Sequence, residues 1–203
     1  MCPTYEKYRE LGTKVTRMKN ASIFHGTGGA PSHFWFPYLK NKLQNDGYKV
    51  WLPQLPNTDS PDIKEWLPFA LNQSSYDKNT VLIGHSAGCP LILSILENID
   101  VTIHQAILVA GFTKSLDSNP EPILQENYDW EKVKAHCNKF YFINSDNDPW
   151  GCDDVAGRSM FDHLGGELLI RHGEGHMGSD KFNQPYKSFP LLYHLIKAEE
   201  NQS

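Results

Sequence analysis

Six short apolar runs rich in Val, Ile and Leu recur along the chain, and helical patterns lie between them. The runs predict strands at residues 21–25, 49–52, 80–83, 105–110, 139–144 and 167–171. The patterns between and after them predict helices at residues 33–46, 62–72, 86–98, 129–137, 153–164 and 188–199. Strands that alternate with helices form βαβ units, whose crossovers cover both faces of a parallel sheet. We therefore predict an α/β fold with about six parallel strands in a doubly wound sheet.

The chain is expected to form one domain. Its 203 residues are 39% hydrophobic and 21% charged, which is enough apolar material for a single sizeable core. No Gly/Ser-rich linker or shift in composition divides it. We predict a polar N-terminal extension at residues 1–20, with a helix at 4–11, and a single domain at 21–203. We interpret the irregular stretch 111–128, which contains Pro120 and Pro122, as a small lid.

Charge and apolar patterning exclude several classes of partner. The 19 Lys and Arg against 24 Asp and Glu give a net charge of −5, the wrong sign for binding nucleic acid. No apolar run approaches the ~20 residues of a membrane helix, and the first twenty residues lack the apolar segment of a secretory signal. The four cysteines show no C-x-x-C spacing, which predicts free thiols. We expect a cytoplasmic protein.

The sequence GHSAG at residues 84–88 follows the apolar run TVLI and opens a predicted helix. G-x-S-x-G in this strand–turn–helix setting is typical of a nucleophile elbow, where a sharp turn strains the serine backbone and requires small neighbours. The N–H of Ala87, at the start of the helix, is a candidate donor to an oxyanion. A helix-capping serine is the alternative interpretation of Ser86, but a cap does not need glycine on both sides.

A serine nucleophile needs a base that is oriented by an acid, in the chain order Ser, Asp or Glu, His for this elbow. Asp146 and Asp148 follow the predicted strand KFYFIN, and His176 follows the strand ELLIR in the loop GEGHM. Strand ends of this kind line the edge where open α/β sheets build their sites. We favour Asp148 as the acid because Pro149 fixes its backbone. We interpret Asp146 and Asn147 as turn residues whose side chains bond their own backbone.

The glycine-rich turn HGTGG at residues 25–29 ends the first predicted strand. Such a turn brings backbone N–H groups close to a ligand, and in an elbow hydrolase it supplies the second oxyanion donor, for which Thr27 is the candidate. The turn does not match a dinucleotide fingerprint, since Pro31 replaces its third glycine.

Two metal-binding patterns also fail on spacing. A calcium loop that begins at Asp146 places Trp150 and Gly157 at positions that require ligands. His172 and His176 lie on a glycine-rich loop and lack the helical H-E-x-x-H spacing of zinc enzymes. We predict no cofactor and no metal.

Taken together, these motifs resemble those of the small serine hydrolases of the retinoblastoma-binding-protein-9 and YdeN type, a compact branch of the α/β-hydrolase fold. The likeness covers residues 22–196 and rests on HGTGG, LPNTDSPDIKEWLPF, GHSAG, YDWEKVKAHC, SDNDPW and GEGHM. It implies Ser86 as nucleophile, Asp148 as acid and His176 as base, with Thr27 and Ala87 as oxyanion donors. It implies a minimal cap and no cofactor. Contact with the retinoblastoma protein is not implied, because no L-x-C-x-E peptide is present.

The expected function is hydrolysis of a small carboxylic ester or related acyl substrate through an acyl-enzyme. Four residues near the strand ends are expected to line its pocket: His25, His85, Trp35 and Trp150. The alternative is a protein-binding module on a hydrolase scaffold without turnover. A haloalkane- or epoxide-cleaving relative would carry Asp in place of Ser86, so the serine argues against that class.

Overall fold

The computed structural model describes residues 19–116 and 121–200 of the chain. Within them, six strands form one sheet in which every neighbouring pair is parallel. The strands are β1 (Lys19–Phe24), β2 (Tyr48–Trp51), β3 (Thr80–His85), β4 (Gln105–Val109), β5 (Phe140–Ser145) and β6 (Glu167–Arg171). Their spatial order is β2-β1-β3-β4-β5-β6. The predicted α/β class, with six parallel strands, is confirmed.

A helix follows each strand. The helices are α1 (Phe36–Asn45), α2 (Ile63–Gln73), α3 (Gly88–Asn98), α4 (Trp130–Ala135), α5 (Asp154–Leu164) and α6 (Pro190–Glu200). Aspartates begin three of them, since the side chains of Asp62, Asp129 and Asp153 accept N–H groups of α2, α4 and α5. Helix α1 contacts α6, while α2, α3, α4 and α5 contact one another in series, so the helices form two layers around the sheet.

Burial follows the position of each strand in the sheet. All residues of β3, β4 and β5 are buried, whereas the edge strands β2 and β6 are partly exposed. Strands β3 and β4 therefore form the centre of the sheet. Helix α3 is buried from Gly88 to Leu96 and packs on β1, β3 and β4, so the element that follows GHSAG lies at the centre of the molecule.

Several element ends differ from the sequence-based prediction. Strand β1 begins at Lys19, inside the predicted extension, because Lys19 pairs with Tyr48 of β2. Helix α1 begins three residues late because Phe34 adopts a φ of +47°, which a helix does not accept. The predicted helix at 4–11 lies outside the described residues, as do residues 117–120 of the predicted lid. No helix in the described part of the chain is long and apolar enough to span a membrane.

Candidate active site

The four segments that the sequence singled out lie at one edge of the sheet, past the carboxyl ends of their strands. The glycine-rich turn follows β1, GHSAG joins β3 to α3, SDNDPW follows β5 and GEGHM follows β6. Strands β1 and β3 are neighbours, although the chain leaves β1 toward β2 and leaves β3 toward β4. This is the point where the strand order reverses, and open α/β sheets form their ligand crevice there.

Ser86 has a φ of +53°, a strained conformation for a non-glycine residue. Its N–H donates to the Val109 carbonyl at 2.9 Å, which fixes the turn against the end of β4. The surrounding glycines are a steric requirement. A Cβ on Gly84 would lie 2.8 Å from the Gly88 carbonyl oxygen, and one on Gly88 would lie 2.4 Å from the Phe24 carbonyl oxygen. A Cβ on Gly26 would lie 2.7 Å from Ser86 Cβ.

The predicted acid and base form a buried pair. His176 Nδ1 lies 2.7 Å from Asp148 Oδ2, and their side chains are only 7% and 0% exposed. Because a carboxylate only accepts hydrogen bonds, Nδ1 carries the proton and Nε2 is left to accept another. The second oxygen, Asp148 Oδ1, accepts the Trp150 N–H at 2.8 Å. The carboxylate therefore fixes both the tautomer and the orientation of the imidazole.

Side chains of the acid loop hold the backbone of the histidine loop. Asp146 Oδ1 accepts the Gly173 N–H at 2.9 Å, and Asn147 Oδ1 accepts the Gly175 N–H at 2.8 Å. Asp146 also bonds its own backbone, as expected of a turn residue, but the expectation missed that both side chains hold the neighbouring loop. The cause is that the parallel pairing of β5 and β6 brings the two loops side by side, so these acceptors meet N–H groups 27 or 28 residues away.

Cys152 lies next to the predicted nucleophile. Its thiol lies near the Ser86 hydroxyl, and burial raises the pKa of the thiol well above its usual value. Between the described residues Ser86 and His176 there is no hydrogen bond. Hydrogen bonds of this kind are often loose in the absence of substrate and tighten in the reacting complex. The Asn144 side chain donates to the Cys152 carbonyl at 2.9 Å, which ties the cysteine to β5.

Ser86 and His176 open onto a cavity of about 550 Å³. His85 and Trp150 line it, as expected, and Trp150 is 39% exposed. Phe34 also lines the cavity, although the sequence gave no sign of this role. Its position depends on the turn before α1 and on close packing against Gly178, where a Cβ would lie 2.8 Å from the Phe34 ring.

His25 and Trp35, which we expected in the pocket wall, lie outside the lining. Both have structural roles instead, because their polar atoms are already occupied. His25 Nδ1 donates to the Gly26 carbonyl at 2.9 Å, and Nε2 accepts the Leu55 N–H at 3.1 Å. Trp35 is fully buried, and its indole donates to the Met177 carbonyl at 3.1 Å. These contacts brace the glycine-rich turn and the histidine loop from behind.

His85 supports the histidine loop from inside the elbow. Its Nε2–H donates to the His176 carbonyl at 2.9 Å, and the two ring centroids lie 4.8 Å apart. Burial, together with the nearby His176, lowers the pKa of His85 to about 3, so its imidazole is neutral. A second contact, missed in the sequence, holds the same loop: Gln184 Oε1 accepts the His176 N–H at 2.9 Å.

Thr27 and Ala87, the candidate oxyanion donors, follow β1 and β3 at neighbouring positions of the sheet. Thr27 is exposed and lines the cavity that contains Ser86. Neither backbone N–H has a hydrogen-bond partner in the part of the chain that the structure describes. Both N–H groups are therefore free to donate to a ligand, which the expected oxyanion role requires.

Comparison with known proteins identifies the family to which the chain belongs. The family model described as "Serine hydrolase" matches residues 21–198. YdeN of Bacillus subtilis (strain 168) is 29% identical over 190 residues, which cover 89% of this chain and 95% of YdeN. The serine hydrolase RBBP9 of Rattus norvegicus is 25% identical over 164 residues, which cover 79% of this chain and 87% of RBBP9.

Solved structures agree with the sequence comparison. The crystal structure of the Bacillus subtilis ydeN product superposes with a TM-score of 0.82 at 28% identity and covers 91% of this chain and 100% of its own. Est1E from Butyrivibrio proteoclasticus, solved with ferulic acid, has a TM-score of 0.63 at 12% identity and coverages of 91% and 88%, and so shares the fold. The matched family model spans every segment of the site described above. The chain therefore belongs to the serine hydrolase family.

Proposed function

We propose that the protein hydrolyses a small carboxylic ester or related acyl substrate through an acyl-enzyme on Ser86. The observation that carries this proposal is the buried Asp148–His176 hydrogen bond of 2.7 Å beside a serine at a strained elbow, with serine and histidine facing one cavity. A serine hydroxyl is a weak nucleophile at neutral pH, so it needs a base whose orientation is fixed.

In the proposed reaction, Ser86 Oγ hydrogen-bonds His176 Nε2 and attacks the substrate carbonyl. His176 takes the hydroxyl proton and gives it to the leaving alkoxide, while Asp148 stabilises the imidazolium. Water then attacks the acyl-enzyme with His176 again as base, which releases the acid and restores Ser86. The N–H groups of Thr27 and Ala87 donate to the oxyanion, an interaction worth about 3 kcal/mol for each donor in such sites.

The cavity supports a small substrate. Its volume of about 550 Å³ is in the range of small-molecule sites, and Phe34, Phe112, Leu116 and Trp150 give it apolar walls. An ester is the simplest substrate because an alkoxide leaves more readily than an amine. Est1E, which shares the fold, holds ferulic acid, a carboxylic acid. We further propose that the protein forms one domain, which includes β1 from Lys19, and that it acts in the cytoplasm on its substrate without cofactor, metal or nucleic acid.

Labelling by a fluorophosphonate probe tests this function, because such probes react with activated serines. We expect labelling of Ser86 in the wild type, located by mass spectrometry, and none in Ser86→Ala or His176→Ala. Ser179→Ala is the matched control, because Ser179 is buried and lines the same cavity. It should label as the wild type does. Hydrolysis of p-nitrophenyl acetate and butyrate should follow the same order of variants.

The second candidate, a binding module without turnover, predicts a different result. If folded wild-type protein does not label, or if His176→Ala labels as fast as the wild type, the acyl-enzyme mechanism is wrong. The lack of a hydrogen bond between Ser86 and His176 among the described residues is the structural feature that favours this alternative.

A further inference from the structure

Cys152 lies beside the acid–base pair, and the proposed reaction gives it no role. One ligand atom each from Asp148, Cys152 and His176 lies within 4.8 Å of the other two, and all three residues are buried. Among the described residues, these are the histidine, cysteine and acidic side chains that lie close enough together for three of them to bind one ion. Thiolate, imidazole and carboxylate are the ligand types that Zn²⁺ uses in proteins.

We propose that Asp148, Cys152 and His176 form an inhibitory binding site for a thiophilic divalent cation such as Zn²⁺. The ion is an inhibitor and takes no part in hydrolysis. In a tetrahedral site with bonds of about 2.0–2.3 Å, neighbouring ligand atoms stand about 3.3–3.6 Å apart. The Nδ1–Oδ2 distance of 2.7 Å must then open by less than about 1 Å. A rotation of the imidazole supplies a change of this size.

The surroundings provide a path into the site and a fourth ligand. His176 and Ser86 line the open cavity, so an ion reaches the thiol by passing the imidazole. The Ser86 hydroxyl lies near the thiol, and this hydroxyl or a water molecule from the cavity would supply the fourth ligand. Asn144 holds the backbone of Cys152. The cysteine therefore loses little conformational entropy when the ion binds.

Binding of the ion exchanges protons for metal bonds. The Cys152 thiol loses its proton to the solvent as the S–metal bond forms. His176 binds the ion through Nδ1 as a neutral imidazole, so its proton moves by exchange with solvent from Nδ1 to Nε2, and one net proton is released for each ion bound. With Nε2 protonated, the imidazole cannot take the proton of the Ser86 hydroxyl. Hydrolysis stops until a chelator removes the ion.

The test uses Cd²⁺ as a spectroscopic probe and Zn²⁺ as the inhibitor. Titration of wild-type protein with Cd²⁺ should give the ultraviolet band of a cadmium–thiolate bond, with a Cys152-dependent component that saturates at one equivalent. Saturating Zn²⁺ should slow fluorophosphonate labelling of Ser86 at least tenfold, and EDTA should restore it. Cys152→Ala should lose that component of the band, and its labelling rate should change less than twofold on addition of Zn²⁺.

Cys137→Ala is the matched control, because Cys137 is also a buried thiol but follows α4, near the start of β4 and away from the site. It should behave as the wild type does. Equal slowing by Zn²⁺ in Cys152→Ala and wild type, or the absence of a Cys152-dependent band, would overturn the proposal. If Cys152→Ala does not fold, Cys152→Ser supplies the same comparison with a poor ligand. The band does not require turnover, so a protein that binds Cd²⁺ but never labels would contradict only the proposed hydrolysis.

Discussion

At the scale of single residues, Gly26 is required because a side chain there would collide with Ser86, and not because of its backbone conformation. A Cβ there would lie 2.7 Å from Ser86 Cβ and 3.2 Å from Ser86 Oγ, so Gly26→Ala must displace the serine. A displacement of about 1 Å costs roughly 100-fold in rate in a well-aligned site. We therefore expect the ester hydrolysis rate of Gly26→Ala to fall about 100-fold, as measured by kcat/KM.

Gly47→Ala is the control for this prediction. Gly47 has a φ of +84°, and a Cβ there meets no atom within 4 Å. Alanine at this site should lower the free energy of unfolding by about 1–2 kcal/mol through backbone strain alone. It should leave kcat/KM unchanged. If Gly26→Ala keeps wild-type activity, the packing of the turn against Ser86 does not position the nucleophile.

Asp148 is predicted to act on the proton of His176 rather than on the fold. Asp148→Asn keeps the size of the side chain and can still accept the Trp150 N–H, but its amide can donate to Nδ1 and favour the wrong tautomer. We expect kcat to fall by about 10³–10⁴-fold with little change in KM. Asp146→Asn, two residues away in the same loop, should lower kcat less than tenfold. Similar losses in both variants would contradict the assignment of the acid.

At the scale of elements, the loops after β5 and β6 act as one unit. Asn147 Oδ1 accepts both the Ser145 hydroxyl and the Gly175 N–H, each at 2.8 Å. Asn147→Ala removes the acceptor for the N–H next to His176, which should destabilise the fold by about 1 kcal/mol. Because the histidine loop loosens, kcat should fall about tenfold, with KM less affected.

Asn98→Ala tests whether that effect is local. Asn98 hydrogen-bonds the Ser94 carbonyl at 2.9 Å near the end of α3, away from the loops after β5 and β6. A similar loss of stability without loss of kcat is expected there. Equal effects on kcat in the two variants would show that lowered stability, and not the loop contact, reduces the rate.

The sequence predicted the elements and the order of the site residues, because both depend on local pattern. Apolar runs marked all six strands, and the glycines around Ser86 marked the turn between β3 and α3. Contacts between distant segments could not be predicted from the sequence. The hydrogen bond from the His176 N–H to Gln184 Oε1 leaves no local signal in the sequence. The placement of Cys152 beside Ser86 leaves none either. Aromatic residues near strand ends did not reveal which of Trp35 and Phe34 faces the cavity.

At the scale of the whole molecule, the sheet order explains how distant residues meet. Strands β3, β5 and β6 deliver Ser86, Asp148 and His176 to the same edge, and β1 delivers the glycine-rich turn beside Ser86. Helix α3 is almost entirely buried under this edge, so the turn stands on the most constrained part of the core. A site built in this way depends on the global fold. The stability of the fold therefore affects the geometry of the reacting residues.

Two buried histidines should make that stability depend on pH. Burial lowers the pKa of His85 to about 3, and burial also lowers the pKa of His25. The ordinary pKa of histidine is near 6.5, so between pH 6.5 and 3 the unfolded state binds a proton at His85 that the folded state does not. The free energy of unfolding must therefore fall as pH falls through this window, by about 1.4 kcal/mol per pH unit for His85, and His25 contributes in the same direction just below pH 6.5.

His85→Gln tests this account, since glutamine keeps a donor for the His176 carbonyl but does not titrate. Urea unfolding between pH 7.5 and 5 should show a smaller slope of free energy against pH in this variant, by up to one proton. His194→Gln, at an exposed position on α6, should keep the wild-type slope. An unchanged slope in His85→Gln would mean that His85 binds its proton equally well in the folded and unfolded states. In that case the imidazole would become positively charged behind His176 as the pH falls through its ordinary range near 6.5, and this charge would disfavour protonation of the catalytic base.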